Sequence, residues 1–178
     1  MTAKRNSNKK ITGSVDEAFI EAAKMRLQGA QGPKDAREAV REIVANLLGS
    51  EEMGLFKLDE AKGALWSYWS FGIPLEHEML DVFSQPALKS VLEGEILIDS
   101  IAESTKVMHG FRPVNAFVPI LMQGKVVAVL MIFRLLRQKR ELNANDRALL
   151  QAISDYAGPA MFPKRRKPFL TQLLENNL

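Results

Sequence analysis

The sequence predicts an α/β domain of the α+β kind, with an antiparallel sheet and helices towards both ends. Three observations predict it. Two pairs of strand-like segments, 52–58 with 64–71 and 115–122 with 125–136, are each joined by a turn short enough for a hairpin. Segments with apolar residues three and four apart stand before the first pair and after the second. The 178 residues, 47% hydrophobic and 25% charged, suit one core.

The elements follow in order. Residues 1–13 are polar and charged and read as a disordered basic tail, ahead of a domain at 14–162. Ser14-Val15-Asp16-Glu17 has the form of a capping box, with the serine oxygen accepting the N3 N–H and the glutamate reaching back. Val15, Ala18, Phe19, Ala22 and Met25 trace one helical stripe, stopped by Gly29 and Gly32. Pro33 opens a second helix at a position where its missing N–H costs nothing. Ala36, Ala39, Val40, Ile43, Val44, Leu47 and Leu48 form its apolar stripe, and Gly49 stops it.

The first hairpin turns through Asp59-Glu60-Ala61-Lys62-Gly63. Residues 74–93 carry short helical pieces around Pro86, 95–98 a brief strand, and 99–113 an irregular connection. Gln123-Gly124 makes the second hairpin's turn, with glycine available for positive φ. Its strands are apolar almost throughout, so both sheet faces are covered there. The basic run 134–141 belongs on the surface. Asn143 caps the last helix with Asp146 at N3, and Leu149, Leu150, Ile153, Tyr156, Ala157 and Ala160 mark its buried stripe. Pro159 removes a hydrogen bond and crowds the carbonyl of Asp155, which predicts a kink or an end near Gly158. Residues 163–178 form a second basic tail in which Phe169, Leu170, Leu173 and Leu174 suggest a short amphipathic helix.

Composition excludes several chemistries. With no cysteine there is no disulfide, thiolate metal site or cysteine nucleophile. Two histidines, His77 and His109, do not make a multi-histidine metal centre. No Ser-His-Asp order, metal cluster or phosphate loop accompanies them, so no catalytic residue, metal or cofactor is expected. The acid pairs Glu51-Glu52 and Asp59-Glu60 flank turns and read as solvated, and His77 as an exposed helix position. The apolar run 126–133 is too short to span a bilayer, and no apolar stretch follows the charged start. The expectation is a cytoplasmic protein with no membrane insertion. The net charge of +3 resides in the tails: four cations without an acid in 1–13, and four against Glu175 in 163–178. Such tails attract nucleic acid, acidic proteins or anionic lipid, or simply solvate the chain ends.

Phe117-Val118-Pro119-Ile120, then Gln123-Gly124-Lys125-Val126-Val127-Ala128-Val129-Leu130, then a capped helix beginning Arg147-Ala148-Leu149-Leu150 after 142–146, stand in an order that resembles the GAF family. The resemblance covers roughly 33–162. It implies a central antiparallel sheet with the terminal helices on one face, and loops and short helices over a ligand cavity on the other. It also implies a sensor or interaction role, with dimers formed by packing the terminal helices. Ala128 stands where a glycine is common in the family, and the Asn-Lys and Phe-Asp-Glu signature of cyclic-nucleotide binders is absent. Chromophore-carrying members and the methionine sulfoxide reductase branch use cysteines, which this chain lacks.

The candidate ligand-binding set is Trp69, Phe71, His109, Phe111 and Phe117. Strand alternation puts Trp66 and Tyr68 on one face, Trp69 and Phe71 on the other, where they line a pocket or serve as sheet core. His109, with Met108 and Phe111 in the connection that would help enclose the pocket, is a hydrogen-bond donor to a ligand or a surface histidine. The resulting expectation is a non-catalytic regulatory domain that binds a small molecule or a regulatory protein and acts through protein–protein contacts. It would be a homodimer through its terminal helices, where Ala18, Ala22, Ala157 and Ala160 permit close approach. The alternatives are a dimeric scaffold whose pocket is filled by its own side chains, and an adaptor binding a polyanion through its basic tails.

Overall fold

A computed structural model describes residues 9–83, 86–98, 114–139 and 141–163. In chain order these form α1 (Lys9–Gln28), α2 (Pro33–Glu42) continued by a π-helical turn (Ile43–Leu47), β1 (Ser50–Asp59), β2 (Ala64–Phe71), β3 (Met79–Asp81), α3 (Pro86–Leu92), β4 (Leu97–Ile98), β5 (Ala116–Met122), β6 (Lys125–Leu135) and α4 (Ala144–Met161). The sheet order is β3-β2-β1-β6-β5-β4, antiparallel at every pairing. Two hairpins thus meet along β1 and β6, and the short strands sit at the edges. This is the predicted α+β architecture.

The apolar strands divide their side chains by alternation. Leu55, Val118, Ile120, Leu130 and Ile132 join one core with Leu27, Val40, Val44, Leu48, Leu150 and Ile153 from the helices. Their neighbours Phe56, Phe117, Val129, Met131 and Phe133 join a second core on the opposite face with Leu75, Leu88 and Val91. Each fully buried side chain of this size contributes about 1.5–3 kcal/mol. Both faces are covered, as the unbroken apolar pattern of β5 and β6 requires. On the first face α4 lies on β5, and α1 and α2 pack against α4.

Local chemistry fixes the joints. Gln123 (φ 54°) and Gly124 (φ 74°) take the left-handed pair that a two-residue hairpin needs. The Asn143 side chain accepts from the amides of Asn145 (2.8 Å) and Asp146 (3.1 Å), and Asp146 accepts from the Asn143 amide at 2.7 Å, a complete capping box. Asp146 is buried and also takes Lys139 Nζ at 2.6 Å, which ties the end of the basic run to the helix start.

Several expectations need correction. α1 begins at Lys9, ahead of the Ser14 capping box, because a single glycine at 13 costs only about 1 kcal/mol relative to alanine once a helix is under way. Among the described residues, the segment before Pro86 holds an edge strand, β3, and no helix; His77 is exposed but lies in a loop with φ 60°. Glu52 is buried opposite Arg134 and pairs with it at 3.2 Å, so it is not a solvated turn residue. α4 runs through Pro159 to Met161. Asp155 and Pro159 both face solvent, so water can satisfy the carbonyl that the proline leaves without its helical donor. Gly158, next to it, lies so close to β5 that a Cβ there would sit 2.0 Å from the Leu121 carbonyl oxygen.

Candidate functional site

β2 departs from simple alternation at one place. Leu55 faces Trp69 and Phe56 faces Ser67, so Tyr68 is an extra residue, a β-bulge. The bulge turns Tyr68 to the same side as Trp69. Trp66 lies opposite Lys57, which lies opposite Ala128 of the helix-side core, so Trp66 also belongs to that side. All four aromatics of β2 therefore share the helix-covered face, and the predicted split of Trp66 and Tyr68 from Trp69 and Phe71 is overturned. The signal in the sequence was the run of four large rings in six residues, but nothing local says where a strand inserts an extra residue.

This placement rearranges the predicted ligand set. Trp69 and Phe71 are part-buried against the helix-side core, with the Arg41 guanidinium 5.2 Å above the Phe71 ring. They do not line a cavity on the face away from the helices, where the resemblance puts one. Phe117 does belong to that second face, but it is 0% exposed and packed among Phe56, Met131 and Phe133. His109 and Phe111 lie outside the described residues. The structure thus brings Trp69 and Phe71 together and separates both from Phe117.

Tyr68 stands half-open between elements. Its ring is 5.4 Å from that of Phe162, just beyond α4, and the Arg37 guanidinium lies 5.6 Å over it, with Nη1 3.5 Å from the hydroxyl. Arg26 holds α1 to α2 by donating to Asp35 (2.8 Å) and Glu42 (3.0 Å). The Gln31 amide and Arg26 together hold the Asp35 carboxyl below the usual aspartate range, and the bonds to Asp35 and Glu42 raise the Arg26 guanidinium further. An open depression of about 430 Å³ beside this network is lined by Gln31, Gly32, Pro33, Lys34, Asp35 and Glu38. Its acids are committed, Asp35 to Arg26 and Glu38 to Arg41, so neither carboxylate of the lining stands free for chemistry. Among the described residues no three His, Cys, Asp or Glu side chains cluster as metal ligands, and no helix is long and apolar enough to cross a membrane.

α1 carries two apolar faces. Ile20, Ala23 and Leu27 turn inward to the helix-side core. The stripe singled out in the sequence turns the other way: Ala18 and Ala22 are exposed, as are Phe19 (49%) and Met25 (71%). Of the four small residues expected between subunits, Ala157 is fully buried and Ala160 part-buried within this chain. α4 is therefore largely consumed in holding α1, α2 and β5 together.

No protein-family model matches the sequence, and no match is found among curated proteins. Solved structures are similar over nearly the whole chain. The GAF domain of a phosphoenolpyruvate-protein phosphotransferase from Coxiella burnetii superimposes with a TM-score of 0.64 at 15% identity, covering 97% of this chain and 100% of that one. The fold is that of a GAF domain. The corresponding GAF domain from Acinetobacter gives a TM-score of 0.62 at 16% identity, over 92% of this chain and 98% of that one. The free methionine-R-sulfoxide reductase of Neisseria meningitidis, solved with its substrate, gives 0.62 at 13% identity over 90% and 96%. At these identities the likeness speaks to the GAF fold alone, which both domain and enzyme structures share.

Proposed function

We propose that this chain is a non-catalytic regulatory module of the cytoplasm that works by protein contact, with a second copy of itself as its first partner. The observation that carries this reading is the outward face of α1. A helix that already buries Ile20, Ala23 and Leu27 presents Phe19 and Met25 on its other side, and such contiguous apolar surface marks contact sites. A two-fold pairing of this face on itself sets the large Phe19 and Met25 against the small Ala18 and Ala22 of the other copy. That is the self-complementarity an isologous dimer requires.

The opposite face supports contact over a small-molecule input at Phe117, because Phe56, Phe117, Met131 and Phe133 fill their own space there. The absence of cysteine removes the thiol chemistry of the reductase branch and leaves regulation as the reading. Sedimentation velocity at micromolar concentration tests the proposal. The chain should sediment as a dimer, and Phe19→Glu with Met25→Glu should sediment as a monomer with an unchanged circular dichroism spectrum. A wild-type chain that stays monomeric, or a doubly substituted chain that stays dimeric, rejects it.

A further inference from the structure

A second apolar surface lies at the β2–β3 edge of the sheet. Trp66 and Met79 are direct cross-strand partners, and both are exposed. Lys62 Nζ lies 5.5 Å over the Trp66 ring. Phe83, just past β3, lays its ring over Gly63 and is 84% exposed. At the other end of this strip the exposed Tyr68 meets Phe162. The strip runs along the sheet's outer edge, and Trp66, Tyr68, Met79 and Phe83 each keep at least 40% of their surface exposed.

We propose that the strip is the docking site of this chain's own segment 164–178. Three observations on the molecule choose that occupant. The described chain ends at Pro163, one residue after the ring that touches Tyr68, so the segment starts at the strip. Five residues, 164–168, reach up to about 17 Å, and Trp66 lies two strand residues, about 7 Å, beyond Tyr68. Phe169, Leu170, Leu173 and Leu174 therefore come within range of Trp66 and Met79. The charges also match. Residues 57–83 hold Asp59, Glu60, Glu76, Glu78 and Asp81 against Lys57 and Lys62, with Lys62 paired to Asp59 and Arg37 over Tyr68 a further cation, whereas 164–178 holds Lys164, Arg165, Arg166 and Lys167 against Glu175. Opposite charge steers the encounter and sets its register. Covalent attachment supplies the high effective concentration that lets a short apolar segment bind its own chain ahead of a free one. Docking covers the edge strand β3 and gives the basic segment a fixed place on the domain.

Because the chain has no cysteine, a paired-cysteine test in the full chain is clean. Met79→Cys combined with Leu173→Cys should form an internal disulfide on mild oxidation, read as a faster-migrating monomer on a non-reducing gel. Glu141→Cys with Leu173→Cys is the control, since residue 141 precedes the far end of α4, about 27 Å from Phe162. A cross-link only between chains, equal cross-linking in both pairs, or none in the Met79 pair overturns the proposal. A second measurement leaves the strip intact. In the full chain, Phe169→Ser with Leu173→Ser should increase acrylamide quenching of tryptophan emission, because Trp66 loses its cover. Quenching identical to that of the parent chain also overturns it.

Discussion

Gly158→Ala pits two effects of known size against each other. Alanine is the better helix former by about 1 kcal/mol, so on propensity alone the substitution stabilises α4. The structure says otherwise. The added Cβ would stand 2.0 Å from the Leu121 carbonyl oxygen and 2.9 Å from its carbon, both backbone atoms of β5 that no rotamer change can move. Relief to an ordinary contact of about 3.2 Å takes a shift of roughly 1 Å, and a gap of that order forfeits a quarter to a half of each dispersion contact. Buried Ile153, Ala157 and Met161 ride on the same helix and share the loss. Overpacking of this kind costs about 1–3 kcal/mol. Against the propensity gain of about 1 kcal/mol, the net destabilisation is up to about 2 kcal/mol, a fall of up to about 8 °C in Tm for a domain of this size. Thermal melts by circular dichroism read it directly. A Gly158→Ala chain more stable than its parent, as helix propensity alone requires, would show that α4 does not lie that closely against β5.

Three other outcomes follow from the same packing. Pro159→Ala restores an N–H to an exposed turn of α4 and should raise stability by about 1–3 kcal/mol in urea melts, less than the full proline penalty because the unfolded chain also gains freedom; a loss of stability would contradict it. Phe117→Ala, at a fully buried site, should cost about 3–5 kcal/mol, and Trp69→Ala, part-buried beneath the helices, should cost less despite the larger ring. The reverse order would mean that Trp69 is the deeper residue. Asp35 has its carboxyl depressed in the folded chain, so the unfolded chain binds that proton first as pH falls. Its contribution is complete above the ordinary value of 3.8 and is lost as pH drops through the lower folded value. Asp35→Asn should flatten the stability-against-pH curve in that acid window and leave the neutral region without a new slope; an unaltered acid limb would remove Asp35 from the account.

The strands and helices of this protein were legible because their signals are local. The Gln123-Gly124 turn, the Asn143 capping box and the unbroken apolar run of β6 each act within a few residues, so the sequence alone determined both hairpins, α2, α4 and the antiparallel sheet. β3 was not legible: three residues at a sheet edge carry too little pattern, and Leu80 is held by its pairing with Leu65. Pro159 misled for a related reason, since the cost of a proline depends on whether the carbonyl it frees can reach water. The candidate site depended on questions that only tertiary structure decides. A one-residue bulge at Tyr68 moved it to the helix side together with Trp69, because a strand's side-chain period is two and an extra residue reverses every later assignment. The stripe on α1 was correctly read as apolar. Its periodicity is the same whether it faces a core or the outside, and only the packing of Ile20, Ala23 and Leu27 against α4 and α2 settled which face turned inward.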